Sequence, residues 1–257
     1  MSDSAFELLS IVGLPLLAGL LALASHVPLG EQVLKRGIVF IDLAIAQVAA
    51  LGVLAASSQG ASPSAATVAG TAAALGSAAF VAWLAKRWPD QREPLIGLVY
   101  VGSAALAVVW VSADPHGAQK LRALLAGDIL WVTWISAGPL ALASLLVVLG
   151  VRFKPRLLDQ DRYFYPLFAV MISLSVPVLG LYLVFAILIA PALGALPLRR
   201  AGRSRAGLIA FGSGAVGFVA GLAASFLLDL PSGPTVVLSL AIGAALTRAA
   251  TTGRLEG

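Results

Sequence analysis

His26 and Asp42 are ionisable side chains placed where ionisation is costly. Each falls within a long apolar run, 7–29 and 37–57, and a charge at the centre of a bilayer costs at least ~2.5–3.5 kcal/mol on insertion scales. Lys35 and Arg36 mark the boundary between the two runs, so the runs read as antiparallel helices. Asp42 stands six residues above that boundary, roughly 9 Å along a helix, and His26 lies at comparable depth on the other run. A carboxylate and an imidazole there can ligate a cation or relay a proton along a pathway. They can equally form a buried hydrogen bond that fixes two helices, because buried polar groups satisfy one another. Gln47 shares the run of Asp42 but lies five residues on, about 140° round a helix. It can act as a neutral oxygen ligand or as an interhelical hydrogen-bonding group. Asp128 and Asp229 fall at outer turns, where they would attract a cation or cap helices and form turns. His116 beside Asp114 reads as part of a solvated turn.

The elements that must position these residues follow from composition. The chain has 257 residues, 60% hydrophobic and 11% charged, and a mean hydropathy of +0.97, which excludes a water-soluble globular domain. Cysteine is absent, which removes disulfides, thiolate metal sites and cysteine nucleophiles. Two histidines in total exclude a cage of several imidazoles. The net charge of +5 suits a basic inner membrane surface better than a nucleic-acid partner. Apolar segments run roughly 7–29, 37–57, 64–85, 95–112, 131–151, 207–228 and 234–248. The fold class expected is therefore an all-α polytopic membrane helix bundle of about eight or nine spans, with residues 1–257 forming one transmembrane domain.

The stretch 166–197 is ambiguous. As one helix its 32 residues would reach about 48 Å, well beyond a hydrocarbon core of ~30 Å. Charge resolves the ambiguity. If this stretch enters and returns, Lys35 and Arg36, Lys86 to Arg92, Arg152 to Arg162, Arg199 to Arg205, and Arg248 with Arg254 share one side, which is 15 of the 17 basic residues. The positive-inside bias then predicts a broken pair of short helices turning around Pro177–Gly180, with the N-terminus outside and the C-terminus inside. Leu121, Leu124 and Leu125 in the outer segment 115–130 read as a short interfacial helix. A phosphate-binding loop of the GxxxxGK[ST] kind is absent from the sequence, so the energy for any transport must come from elsewhere.

Several motifs together resemble the membrane-spanning permease of ATP-binding-cassette importers of the zinc/manganese type. They are Pro28-Leu-Gly30 with Val33-Leu-Lys-Arg36, Pro94-Leu-Ile-Gly97, Leu125-Ala-Gly-Asp-Ile-Leu130, and Leu183 to Ala192 (LVFAILIAPA). The last and most specific is Asp229-Leu-Pro-Ser-Gly-Pro-Thr235, similar to the family's final DxPSGPT turn. The resemblance implies a type II importer fold in a bacterial plasma (inner) membrane. It implies a permease homodimer working with a cytoplasmic ABC ATPase and an extracytoplasmic binding protein. ATP is then used by the partner, a divalent metal is cargo, and the permease is no enzyme and holds no permanent cofactor. The segment 193–206, with Leu193, Arg199, Arg200, Arg203 and Arg205, would be the coupling element to the ATPase. Its basic residues also serve topology and would touch anionic headgroups.

The resemblance breaks in the second span. The family carries an Asp and a His four residues apart there; aligned on Gly52, those positions hold Leu43 and Gln47. Asp42 is adjacent, but one residue is a 100° rotation. A local bulge would bring Asp42 back to the pathway. Otherwise His26 and Asp42 build a different site, or the cargo differs. An Asp/His/Gln set suits zinc, manganese or iron alike. The competing classes are a stand-alone secondary transporter with an Asp42/His26 relay, for which no inverted repeat is visible, and a membrane-embedded hydrolase or transferase, for which clustered acids and nucleophiles are lacking.

Overall fold

The computed structural model describes residues 2–112, 119 and 129–252, with side chains described from Val12 onward apart from 200, 201 and 203. The proposed interfacial helix, His116 and Asp128 lie outside the described residues. Among the described residues nine α-helices follow one another: α1 Ser2–Arg36, α2 Ile41–Ser58, α3 Pro63–Arg87, α4 Arg92–Val111, α5 Trp134–Phe153, α6 Asp161–Leu179, α7 Leu181–Gly194, α8 Arg203–Leu228 and α9 Ser232–Thr252. All except α7 are long and apolar enough to cross a membrane.

Local chemistry sets the boundaries. α1 ends on Lys35 and Arg36, cations that suit the negative end of a helix, and the chain leaves through Gly37 at φ 61°. α3 begins with Ser62 accepting from the Ala65 amide and with Pro63 in the first turn, a position where a missing N–H costs nothing. α5 starts on a reciprocal capping box between Thr133 and Ser136. α8 stops at Asp229, which adopts φ 53°, a conformation Asp tolerates better than most residues.

The break in 166–197 falls at Gly180, whose φ of 82° is open to glycine and costly for other residues. Contacts on either side show that the chain reverses there. α6 runs antiparallel to α1: Asp161 meets Arg36 at one end and Ser175 meets His26 further up. α7 descends again, with Gly30 of α1 packed on the Leu188 carbonyl and the Leu193 carbonyl accepting from Arg248 near the inner end of α9. The expected enter-and-return topology is therefore observed. The boundaries differ in one respect: α6 begins at Asp161 rather than near 166, and its 19 residues reach about 28 Å. Only α7, with 14 residues, is short. Pro177 lies within α6 rather than at the turn.

The basic groups converge as charge parity predicts. The Arg92 guanidinium lies against Gly37, Lys35 meets Asp159, and Arg199 meets Glu31, all at the end of α1 that carries Arg36. The core is built from α1, α6 and α7, where Leu23, Phe164, Phe168, Ile172, Leu183 and Ile187 are fully buried. α4, α5 and α9 turn large apolar side chains outward, among them Val109, Leu142 and Leu246, a surface matched to lipid. Small residues bring backbones together. Gly52 of α2 packs on Ala69 to Ala73 of α3, and Gly70 packs back on Ala49 and Val53; such pairs replace the hydrophobic drive that lipid does not supply.

Candidate functional site

Asp42 occupies the first turn of α2 and is fully buried. Neither carboxylate oxygen completes a hydrogen bond; the favourable groups beside it are the first-turn amides of Asp42 and Leu43, where a helix carries partial positive charge. α2 is unbroken from Ile41 to Ser58, so the bulge considered from the sequence does not occur. Asp42 keeps a helical face with Ala46, Ala49 and Val53, while Gln47, also buried, points about 140° away.

His26 does not join Asp42. Its Nδ1 lies 2.9 Å from the Ala22 carbonyl and 3.1 Å from Ser25 Oγ, and its Nε2 lies 3.2 Å from Ser175 Oγ on α6. Ser25 Oγ in turn lies 3.1 Å from Ser144 Oγ on α5. The imidazole is thus the centre of a hydroxyl network joining α1, α5 and α6. Serine offered no signal for this in the sequence, because it also reads as a small packing residue. Among the described residues no group of three or more His, Asp or Glu gathers to hold a metal ion.

Sequence reasoning missed Glu93. This residue opens α4, and its Oε1 accepts from the Phe40 amide at 3.1 Å, capping α2 from a neighbouring helix. Its Oε2 is buried without a hydrogen-bond partner. Two carboxylates, one wholly buried and one half-buried, therefore flank the positive end of α2.

At the outer side Asp229 is exposed in the turn between α8 and α9, as a turn former would be. At the inner side the segment Leu196–Ala201 is a 3-10 turn ending at Gly202 with φ 133°. Leu193 is partly exposed, Arg205 is exposed, and Arg199 reaches back so that its Nη2 lies 3.4 Å from Glu31 Oε2 of α1. The side chains of Arg200 and Arg203 lie outside the described set. One turn along α1 stands a second inner cluster that the sequence did not disclose. Arg36 donates to Gln32 Oε1, Asp161 Oδ1 and the Leu158 carbonyl, and its guanidinium lies 4.2 Å from the centre of the Phe164 ring. Gln32 donates to Asp159 at 2.8 Å.

Residues 11–159 and 152–248 match the model of the ABC 3 transport family. The chain belongs to that family. Its fold is also similar to that of a solved structure, PsaBC from Streptococcus pneumoniae in complex with Fab. The TM-score is 0.71 and the identity 18%, over 96% of this chain and 95% of that one. The ABC 3 assignment bears out the resemblance read from the motifs. With eight candidate spans among the described residues it makes the chain a multi-pass membrane subunit of a transporter, in the bacterial plasma membrane.

Proposed function

We propose that this ABC 3 family member is the permease of an importer for a divalent metal ion, with Asp42 as the principal ligand in its pathway. The carrying observation is that carboxylate: fully buried, in a membrane-spanning helix, and completing no hydrogen bond. Such a group is costly unless something cationic visits it. A transport family is the setting in which a visiting cation accounts for it.

In this reading two copies of the chain pair, a cytoplasmic ABC ATPase docks on the inner segment around Leu193 to Arg205, and an extracytoplasmic binding protein delivers the metal. The chain carries no nucleotide chemistry and keeps no cofactor; the metal is cargo. The Glu31–Arg199 pair ties the docking segment to α1. Through Arg36 and Asp161, α1 is also tied to the foot of α6. ATPase closure against the inner segment thus has a mechanical connection to the α6–α7 reversal. The alternative, a secondary transporter with an Asp42/His26 relay, is less well supported, because the His26 nitrogens contact serines and a backbone carbonyl rather than Asp42.

The test is reconstitution of the permease with its ATPase and binding protein in proteoliposomes. ATP-dependent accumulation of Mn²⁺ or Zn²⁺ is expected. Hydrolysis of ATP without movement of any divalent metal would overturn the proposal.

A further inference from the structure

The foot of α6 carries cations for which the import reading has no use. A cleft of about 530 Å³ opens there on the inner surface, lined by Lys154, Arg156, Gln160, Arg162 and Tyr163 among others. The two acids of this stretch are turned elsewhere: Asp159 meets Gln32 and Lys35, and Asp161 meets Arg36. Lys154, Arg156 and Arg162 have no carboxylate partner among the described residues. Arg162 is held in place without being neutralised. Its Nε donates to Gln160 Oε1 at 3.0 Å, and its guanidinium lies 4.6 Å from the centre of the Tyr163 ring. Its Nη groups meet no acceptor among the described residues, and such a pair takes two oxygens of a phosphate side by side.

Arg162 also lines a second hollow, of about 270 Å³, between α3 and α6. Its walls include Leu75, Ala78, Ala79 and Ala82 of α3 and Pro166 of α6, with Asp161 at its mouth. The four α3 residues recur at the spacing of one helix face. The two helices are antiparallel and meet where Ser173 Oγ reaches Thr71 Oγ1. Eleven residues inward along each, about 16 Å, brings Ala82 level with Arg162. The hollow is therefore an apolar groove that rises from Arg162 toward the middle of the bilayer, open to the side at the exposed Leu75 and Ala79. Aromatic rings fix its depth. Trp83 and Trp88 are exposed at the inner end of α3 and Tyr163 at the foot of α6, and such rings settle at the level of lipid headgroups.

We infer that the foot of α6 and the facing side of α3 form a site for an anionic phospholipid of the inner leaflet. The phosphate sits among Lys154, Arg156 and Arg162, and one acyl chain lies in the groove along Ala78, Ala79 and Ala82. A free phosphate would use the cations and leave the groove without a role; a lipid uses both, and Arg162 joins them. The site is independent of what the permease carries. A partner ATPase is the competing claimant to the same cations.

The permease alone and the permease–ATPase complex, each in mild detergent, are titrated with phosphatidylglycerol or phosphatidylcholine, and bound lipid is counted by native mass spectrometry. Both wild-type samples should hold phosphatidylglycerol at least about tenfold more tightly, since each basic residue near an anionic headgroup adds several-fold. Arg156→Gln with Arg162→Gln should remove most of that preference; both side chains are exposed, and an unchanged melting temperature checks that the fold persists. Ala79→Phe, which fills the groove from its exposed side, should weaken phosphatidylglycerol several-fold without touching a charge. Arg205→Gln, an exposed cation on α8, should leave the preference intact. Equal binding of the two lipids by the wild type, or an equal loss in Arg205→Gln, overturns the site. So does displacement of the lipid by inorganic phosphate with no effect of Ala79→Phe, which reduces the cleft to a phosphate site. Lipid held by the permease alone and lost on assembly overturns it too, and assigns the cations to ATPase docking.

Discussion

Arg36 and Asp42 stand six residues apart in the chain, on either side of the turn that joins α1 to α2, and their side chains live under opposite conditions. Arg36 is mostly buried, and its guanidinium has acceptors on Gln32, Leu158, Asp159 and Asp161 and an aromatic face on Phe164. Asp42 is wholly buried and its oxygens complete no hydrogen bond. A saturated charge of the first kind holds elements in place, because removing it strands several partners at once. An unsaturated charge of the second kind does the opposite: it weakens the resting fold and is retained for what it can bind. The inner end of α1 is therefore read as structure and coupling, and the start of α2 as function.

That contrast is broken most sharply by exchanging consequences. Asp42→Asn should abolish metal uptake, on the order of a hundredfold or more, because a charged ligand cannot be replaced by a neutral amide in low dielectric. The same variant should raise the melting temperature of the detergent-solubilised permease or leave it unchanged, as a buried charge that completes no hydrogen bond is removed. A fall of several degrees would show that Asp42 is structural after all. Arg36→Met should behave in reverse, with a clear loss of thermal stability. The loss should be at the low end of the ~3–5 kcal/mol known for a broken buried ion pair, because Asp161 is largely solvated. If Arg36→Met unfolds nothing yet silences transport, the division between the two regions is wrong.

A finer cut concerns coupling. Glu31→Gln should loosen the tie to Arg199 and lower metal uptake per ATP hydrolysed by several-fold while hydrolysis itself persists, measured as the transport-to-ATP ratio. Equal losses in both rates would place the pair in ATPase docking alone. The smallest effect is expected at Lys35. Its ammonium meets Asp159 at 3.4 Å, but more than half of its side chain is solvated, so Lys35→Ala should shift stability by no more than about 0.5 kcal/mol in a thermal melt.

How far the sequence disclosed these two regions follows from what each type of residue signals. Spans and sidedness were legible because apolar length and basic clusters are one-dimensional properties, and the reversal at Gly180 followed from parity alone. The start of α6 was not, because Asp161 and Arg162 look like loop residues until Arg36 is seen to receive Asp161. Depth along a helix could be counted for His26 and Asp42, but direction around the bundle could not, and direction separates them: one faces the serines of α5 and α6, the other the first turn of α2. Glu93 was hidden for a related reason, since an acidic residue at a helix start reads as an ordinary favourable charge until Phe40 of another element is found beside it. Asp229 lies exposed at positive φ in the turn between α8 and α9.

The central claim is that the carboxylate at the start of α2 binds the cargo. It is tested most directly by ATP-driven uptake of Mn²⁺ and Zn²⁺ into proteoliposomes carrying the complete complex, with wild-type chain or Asp42→Asn. Accumulation by the wild type and its loss in the variant, with ATPase assembly and melting temperature preserved, is the predicted result. Equal accumulation by both would contradict the account and move the ligand elsewhere in the bundle.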